Sequence, residues 1–545
     1  MLRFALALAL VAVFAVSSCS APIEGPADSG PPPQEDAGTD AGDVVPDAGP
    51  PPPAIEWVDC PLRSEGGNPV RAECATVQVP LRAGQADGGP TLPMFVKRWA
   101  PDGGTRERQL WMLMGGPGGS GFGYEAVAEQ IGNKYPDLEF YLPDHRGTGR
   151  SSRLGCPDQE TAGTEWDESI SPNEWPDCLA RVMSDHGSNL SAYSTTNAAN
   201  DLGVLIEKAK QPGQQVFVYG ASYGTYWAHR YLQLYPRQAD GVILDSLVAQ
   251  TAASLAEQDS DANEAGRQFF DTVCKADATC SAKLGADPWA FAEATFAKLK
   301  MGHCSAFATP YGVPAHLLLR RVFGQVMMGY GARTLIPAAI YRADRCSTAD
   351  TVALSRLMTA FYGGVPSPAA QKLFELWGWV LSNNVLFSEM WSDPSPTAMD
   401  LQASREAAVV SRDVTSGMDA LVGKWPTYAK DSYVGAWAVT DTPLLMLAGG
   451  LDPATIIRKQ RLVKPHFTGA NQTWLEFPLG AHGILSSTPT NANVSCGTTV
   501  MMSFIRAPTS PVDTTCMSDL RQLDFTGATT RGTTMALFGT MDPWE

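Results

Sequence analysis

The sequence predicts an α/β fold, a mostly parallel sheet with helices on both faces, and three observations lead there. An apolar run, Val216 to Tyr219, enters Gly220-Ala221-Ser222-Tyr223-Gly224 and then a segment of helical character, Thr225 to Tyr235. Leu110 to Met114 runs into a glycine-rich stretch, Gly115 to Gly121, and Leu444 to Leu447 runs into Ala448-Gly449-Gly450-Leu451-Asp452-Pro453. Short apolar runs closed by turns read as strands buried on both faces, and the loops at their carboxyl ends are where such sheets carry chemistry.

Along the chain, Met1-Leu2-Arg3, the apolar run Phe4 to Val16 and Ser17-Ser18-Cys19 read as a lipoprotein signal peptide over 1–18, with Cys19 as the lipidated residue. The run is too short to span a bilayer, and a cysteine after small residues marks lipidation. An ordinary signal peptide is the alternative. Residues 19–55 are rich in Pro, Gly, Ala and Asp and read as a disordered tether. The expected location is the outer membrane or cell surface, with a secreted or periplasmic protein as the alternative. Contact with a membrane is expected only through the lipid, since a net charge of −17 opposes adhesion to anionic lipid and to nucleic acid.

Eleven cysteines leave ten once Cys19 is set aside, an even number suited to disulfides in an exported chain. Sequence does not fix their connectivity. Pairing neighbours in order gives Cys60 with Cys74, Cys156 with Cys178, Cys274 with Cys280, Cys304 with Cys346, and Cys496 with Cys516. Neither a tight Cys-x2-Cys pair nor an HExxH is present, so no metal is expected.

Gly220-x-Ser222-x-Gly224 between a strand and a helix is the pattern of a nucleophile elbow, which makes Ser222 the candidate nucleophile. The bland reading is an ordinary tight turn. A serine needs a base, and the base a carboxylate to orient it. His482, in Leu479-Gly480-Ala481-His482-Gly483 after the strand Thr473 to Phe477, is preferred to His466. Asp452 is the candidate acid, with Asp245 at the end of Val242 to Leu244 as its rival. The expected oxyanion donors are the amides of Gly116 and Tyr223, because Pro117 has none to give. Gly116-x-Gly118-x-x-Gly121 also matches a dinucleotide fingerprint with Asp144 downstream, but that reading leaves Ser222, Asp452 and His482 unexplained. No cofactor is required.

These motifs resemble the tripeptidyl and prolyl aminopeptidase branch of the α/β-hydrolases, over most of residues 56–545. The likeness rests on Cys60 and Cys74 ahead of Val79-Pro80-Leu81, the Gly-Gly-Pro-Gly-Gly-Ser-Gly run and Asp144-x-Arg146-Gly147-x-Gly149-x-Ser151. It continues through Thr195-Thr196-Asn197-Ala198-Ala199-Asn200-Asp201-Leu202, the elbow, and the spaced pair Cys496 and Cys516. The resemblance implies catalytic roles for Ser222, Asp452 and His482, and a free α-amino group held by a cap carboxylate. Glu389 beside Trp391 is the candidate for that role, against the bland reading of a solvated glutamate. Met114 and His145 depart from the residues usual in prolyl aminopeptidases.

The expected organisation is a core over 56–250, a large, mainly helical cap over 251–436, and a second core part over 437–545 whose tail is similar to that of tripeptidyl aminopeptidases. Helical stretches are expected at Ala315 to Met328 and Gln371 to Leu381, and Phe374, Trp377, Phe387 and Trp391 are candidate pocket aromatics, or simply cap core. The expected activity is an exopeptidase acting on peptides near a free N-terminus. A carboxylesterase acting on small esters is the alternative, and a tethered binding module the third reading.

Overall fold

The computed structural model describes residues 55–62, 70–86, 88–161, 163–164, 169–363 and 377–545. The expected signal peptide, Cys19, nearly all of the tether and Phe374 lie outside them. Among the described residues the strands are β1 Val58–Pro61, β2 Arg71–Pro80, β3 Thr91–Trp99, β4 Arg108–Leu113, β5 Leu138–Pro143, β6 Gln215–Ala221, β7 Gly241–Asp245, β8 Leu444–Gly449 and β9 Gln472–Phe477. They form one sheet in the order β1-β2-β3-β5-β4-β6-β7-β8-β9. The pairs β1/β2, β2/β3 and β3/β5 are antiparallel, and every pair from β5 to β9 is parallel. This is the α/β-hydrolase fold.

The parallel strands are apolar throughout because both faces are covered. Trp111, Leu113, Val216, Val218, Val242, Leu244, Leu444 and Met446 point to one face. There they meet α3 (Thr195–Ala209) and α4 (Tyr223–Leu234), while a shorter helix, α2 (Trp175–Asp185), adds Cys178 and Val182 to the same core. Leu110, Met112, Phe217, Ile243, Leu445 and Leu447 point to the other face, toward α1 (Glu125–Lys134) and the helix Cys496–Arg506. The alternation follows from the period of two along a strand.

Between β7 and β8 the described residues form no strand, and helices such as Gln258–Gln268, Pro288–Lys300, Ala315–Met327, Leu335–Arg345 and Thr348–Tyr362 build a core of their own around Phe269, Leu319, Phe323 and Leu354. The helix expected at Ala315 to Met328 forms. That expected at Gln371 to Leu381 lies partly outside the described residues, and the helix there begins at Trp379, after Gly378. All five neighbour pairs of cysteines are bridged, with Cα–Cα distances from 5.3 Å at Cys274–Cys280 to 5.9 Å at Cys60–Cys74.

Two buried carboxylates set the loops at the carboxyl edge of the sheet. Asp144, just after β5, accepts from the amides of Gly121 and Arg150, each at 2.8 Å, and so joins the glycine-rich loop to its own turn. Asp201 on α3 accepts from Arg146 Nε at 2.6 Å and Nη2 at 2.5 Å, and neither side chain is exposed. The remaining Arg146 donors go to the carbonyls of Pro80, Leu81 and Ala192. Replacing Asp201 by alanine would strand a buried guanidinium, so Asp201→Ala is expected to cost about 3–5 kcal/mol, read as a lower urea midpoint at unchanged slope.

Candidate active site

Ser222 joins β6 to α4 with φ 57° and ψ −127°. A non-glycine residue holds positive φ only when its surroundings impose it. Here the imposition comes from close packing on both sides. A Cβ on Gly220 would lie 2.2 Å from the Gly224 carbonyl oxygen, and one on Gly224 would lie 2.2 Å from that of Leu113. The Ser222 amide is itself held by the Asp245 carbonyl at 3.0 Å.

Because β6, β8 and β9 run parallel, their carboxyl ends share one edge of the sheet, and the loops that follow carry Ser222, Asp452 and His482. His482 Nδ1 stands 2.8 Å from Asp452 Oδ2 and 3.0 Å from Oδ1. Asp452 also accepts from the Ala454 and Thr455 amides at 2.7 and 2.9 Å and from Thr455 Oγ1 at 2.7 Å. Burial alone would raise its pKa, but the neighbouring His482 and these hydrogen bonds outweigh burial and hold it below the ordinary value. A carboxylate can only accept, so the proton sits on Nδ1 and Nε2 is left free to accept one. Ser222 Oγ makes no hydrogen bond to His482 here.

The rivals are otherwise engaged. Asp245 accepts from Tyr219 Oη and Ser246 Oγ at 2.8 and 3.0 Å and from the amides of Ile484 and Leu485 at 2.7 and 3.2 Å. It anchors the loop that bears His482 instead of contacting the ring. His466 stacks on Trp437 with centroids 3.9 Å apart.

The Gly116 and Tyr223 amides donate to no protein acceptor among the described residues. That leaves both available to a developing oxyanion. Gly116 has φ 131°, and a Cβ there would lie 2.7 Å from the Gly118 nitrogen and 3.0 Å from the Trp377 ring. The insertion closes onto this loop, since the Gly378 amide donates to the Gly118 carbonyl at 2.8 Å. Asp144, whose carboxylate is spent on the two loop amides, holds this same loop in place.

His145 backs Tyr223. Its Nδ1 lies 2.7 Å from the Arg146 carbonyl and its Nε2 3.1 Å from Tyr223 Oη, which in turn lies 2.9 Å from Thr195 Oγ1. The carbonyl assigns the proton to Nδ1, so Nε2 accepts from Tyr223 and Tyr223 accepts from Thr195. Burial pulls the His145 pKa down to about 4, which keeps the ring neutral. The departure at position 145 thus supports Tyr223, the candidate oxyanion donor, from beneath.

Glu389 and Trp391 do not stand where the resemblance implies. Glu389 is wholly buried, accepting from the Thr195 amide at 2.9 Å, Tyr428 Oη at 2.6 Å, Tyr226 Oη at 3.2 Å and Arg230 Nη2 at 3.4 Å. Its oxygens are committed to fastening the insertion onto α3 and α4, and it is neither a solvated residue nor a wall of the cavity. Trp391 and Phe387 pack together, and Phe387 stacks on Trp425, so their partners are aromatic core. Trp377 does line the cavity. Removing Glu389 would leave Arg230 buried without its near partner, and Glu389→Ala is expected to cost about 3–5 kcal/mol of stability without a selective rise in KM for free-amine substrates. Paired unfolding and kinetic measurements on that variant read both quantities.

A cavity of about 320 Å³ opens onto Ser222, Gly116 and Tyr223. Most of its wall is apolar, including Leu247, Val322, Met328 and Leu386, and its charged groups are Asp261, Arg321, Arg412, Asp413 and Lys459. Asp261 pairs with Lys459 at 2.5 Å, and Asp413 lies 3.6 Å from both Arg320 and Arg321. Arg412 comes from the loop after the helix Ala398–Ala407, and no motif in the sequence marks it.

Residues 110–279 match the family described as alpha/beta hydrolase fold. Over 210 residues the chain is 27% identical to a tripeptidyl aminopeptidase of Streptomyces lividans, a match covering 36% of this chain and 38% of the relative. The relative of the same name from Streptomyces coelicolor gives the same identity and coverage. The chain therefore matches under two fifths of the length of these curated relatives. Among solved structures, an α/β hydrolase from Novosphingobium aromaticivorans is 11% identical with a TM-score of 0.31, covering 76% of this chain and 92% of that one. A lipase in its open form is 14% identical with a TM-score of 0.31, covering 80% of this chain and 100% of its own.

Proposed function

We propose that this chain, an α/β-hydrolase, is an exported serine hydrolase that cleaves peptide bonds near a free N-terminus through an acyl-enzyme on Ser222. The observation that carries the reading is the strained Ser222 elbow on the sheet edge that also bears the hydrogen-bonded His482–Asp452 pair. In this mechanism His482, oriented by Asp452, takes the Ser222 proton as Oγ attacks the scissile carbonyl. The amides of Gly116 and Tyr223 meet the oxyanion, His482 returns the proton to the leaving amine, and water then releases the acyl group. The choice of peptides draws on the likeness to tripeptidyl aminopeptidases.

The five disulfides fit work outside a reducing compartment, and no helix among the described residues is long and apolar enough to cross a membrane. Anchoring by lipid at Cys19 is part of the same proposal.

A carboxylesterase is the second reading, favoured by the apolar wall and by the ion pairing of both cavity carboxylates, Asp261 and Asp413. Turnover of aminoacyl and tripeptidyl anilides with free or blocked N-termini, beside short-chain aryl esters, separates the two. Anilide cleavage that requires a free amine is the expected result, and ester cleavage alone would establish the esterase.

A further inference from the structure

Arg412 lines the same cavity as Ser222, Gly116 and Tyr223, yet it forms no ion pair within 4 Å among the described residues. Its Nη1 donates to Gln258 Oε1 at 2.9 Å, and its Nε is buried with no hydrogen-bond partner. The carboxylates whose charge it feels are Asp452 and Asp259. Neither makes a hydrogen bond or a close ion pair with it, and their hydrogen bonds run to other groups. Asp452 serves His482, Ala454 and Thr455, and Asp259 accepts from Ser411 Oγ at 2.6 Å, the Asp413 amide at 2.9 Å and Thr415 Oγ1 at 2.7 Å. The cavity's other cations have counter-charges on the protein, Lys459 with Asp261 and Arg321 beside Asp413. A guanidinium with no carboxylate at ion-pair distance keeps donors to spare, and its planar donor edge suits a bidentate carboxylate.

We propose that Arg412 is a specificity residue whose direct ion-pair partner is supplied by substrate, so that the cavity prefers an acyl group bearing a carboxylate, such as an acidic side chain in the released peptide segment. The proposal rests on the reading of Ser222 as the acylated residue. It extends that reading from the reaction to the charge of what is cleaved.

Two aryl glutarates test it, 4-nitrophenyl hemiglutarate with its free carboxylate and 4-nitrophenyl methyl glutarate without one, each read above its own enzyme-free hydrolysis because the free carboxylate attacks its own aryl ester. The full chain is expected to favour the anionic ester by about tenfold or more in kcat/KM, the scale of one charge-assisted hydrogen-bonded pair. In Arg412→Gln the ratio of the two should fall to near one, with Arg412→Lys between. Taking the ratio within each variant cancels any general loss of activity or of folded protein. A wild-type ratio near one, or a ratio unchanged in Arg412→Gln, overturns the proposal.

Calorimetric binding of glutarate to the Ser222→Ala protein, with and without Arg412→Gln, separates the two claims. Glutarate binding that depends on Arg412, with neither these esters nor the free-amine anilides cleaved, would sink the hydrolase reading and leave the anion site standing. Cleavage of both esters at equal rates with no glutarate binding would do the reverse.

Discussion

Replacing Ser222 with alanine is expected to lower kcat by about 10⁶-fold on any substrate the protein turns over, while leaving the fold intact. The size follows from how the parts act together. Without Oγ there is no acyl-enzyme, and His482 and Asp452 have no proton to move, so the loss of one group is nearly the loss of all three. What remains is binding and the two oxyanion amides, which give a residual of about 10³–10⁴ over water. Alanine accommodates the same backbone turn no worse than serine, and its Cβ occupies the same place near Gly115. Circular dichroism and the urea midpoint should therefore match the parent. A loss of less than tenfold would mean that another group attacks.

The second large effect is expected at Asp452. Asp452→Asn keeps the shape of the side chain but can turn its amide toward His482 Nδ1, which places the ring proton on Nε2 and removes the base from the serine side; the expected loss in kcat is about 10⁴-fold. Asp245→Asn is the matched control, since Asp245 sits at the end of the strand beside β8 and was the rival acid by sequence. Its Oδ1 and Oδ2 hold the Ile484 and Leu485 amides, so its replacement should act through the stability of the His482 loop. A greater loss of rate in Asp245→Asn than in Asp452→Asn would reverse the assignment.

The residues that sequence made legible are those whose backbone setting is local. Ser222 was readable because a strand, two glycines and a helix are contiguous, and the His482 and Asp452 loops because each follows its own apolar run. The five disulfides followed the order of the chain because each closes a local loop. The antiparallel strands β2 and β3 carry no such local signal. Their alternation is blurred by Glu73, Cys74 and Ala75 in one and by Pro93 and Lys97 in the other, and only their pairing shows them.

The surroundings of Glu389 are hidden in the sequence for a different reason. A glutamate in an aromatic helix suggests either solvent or ligand, and nothing near it in sequence announces Arg230, Tyr226 or Tyr428, which meet it from two other segments of the chain. Arg412 was missed in the same way. Its significance is a place in the cavity wall with no carboxylate at ion-pair distance, which only the assembled cavity reveals.

The most direct test of Ser222 as the nucleophile is labelling of the intact protein with a fluorophosphonate, followed by mass spectrometry of the digested adduct. One phosphonyl group per chain on the peptide bearing Ser222, with labelling slowed by orders of magnitude in His482→Ala, is the expected result. No adduct, or an adduct carried on a different residue, would contradict it.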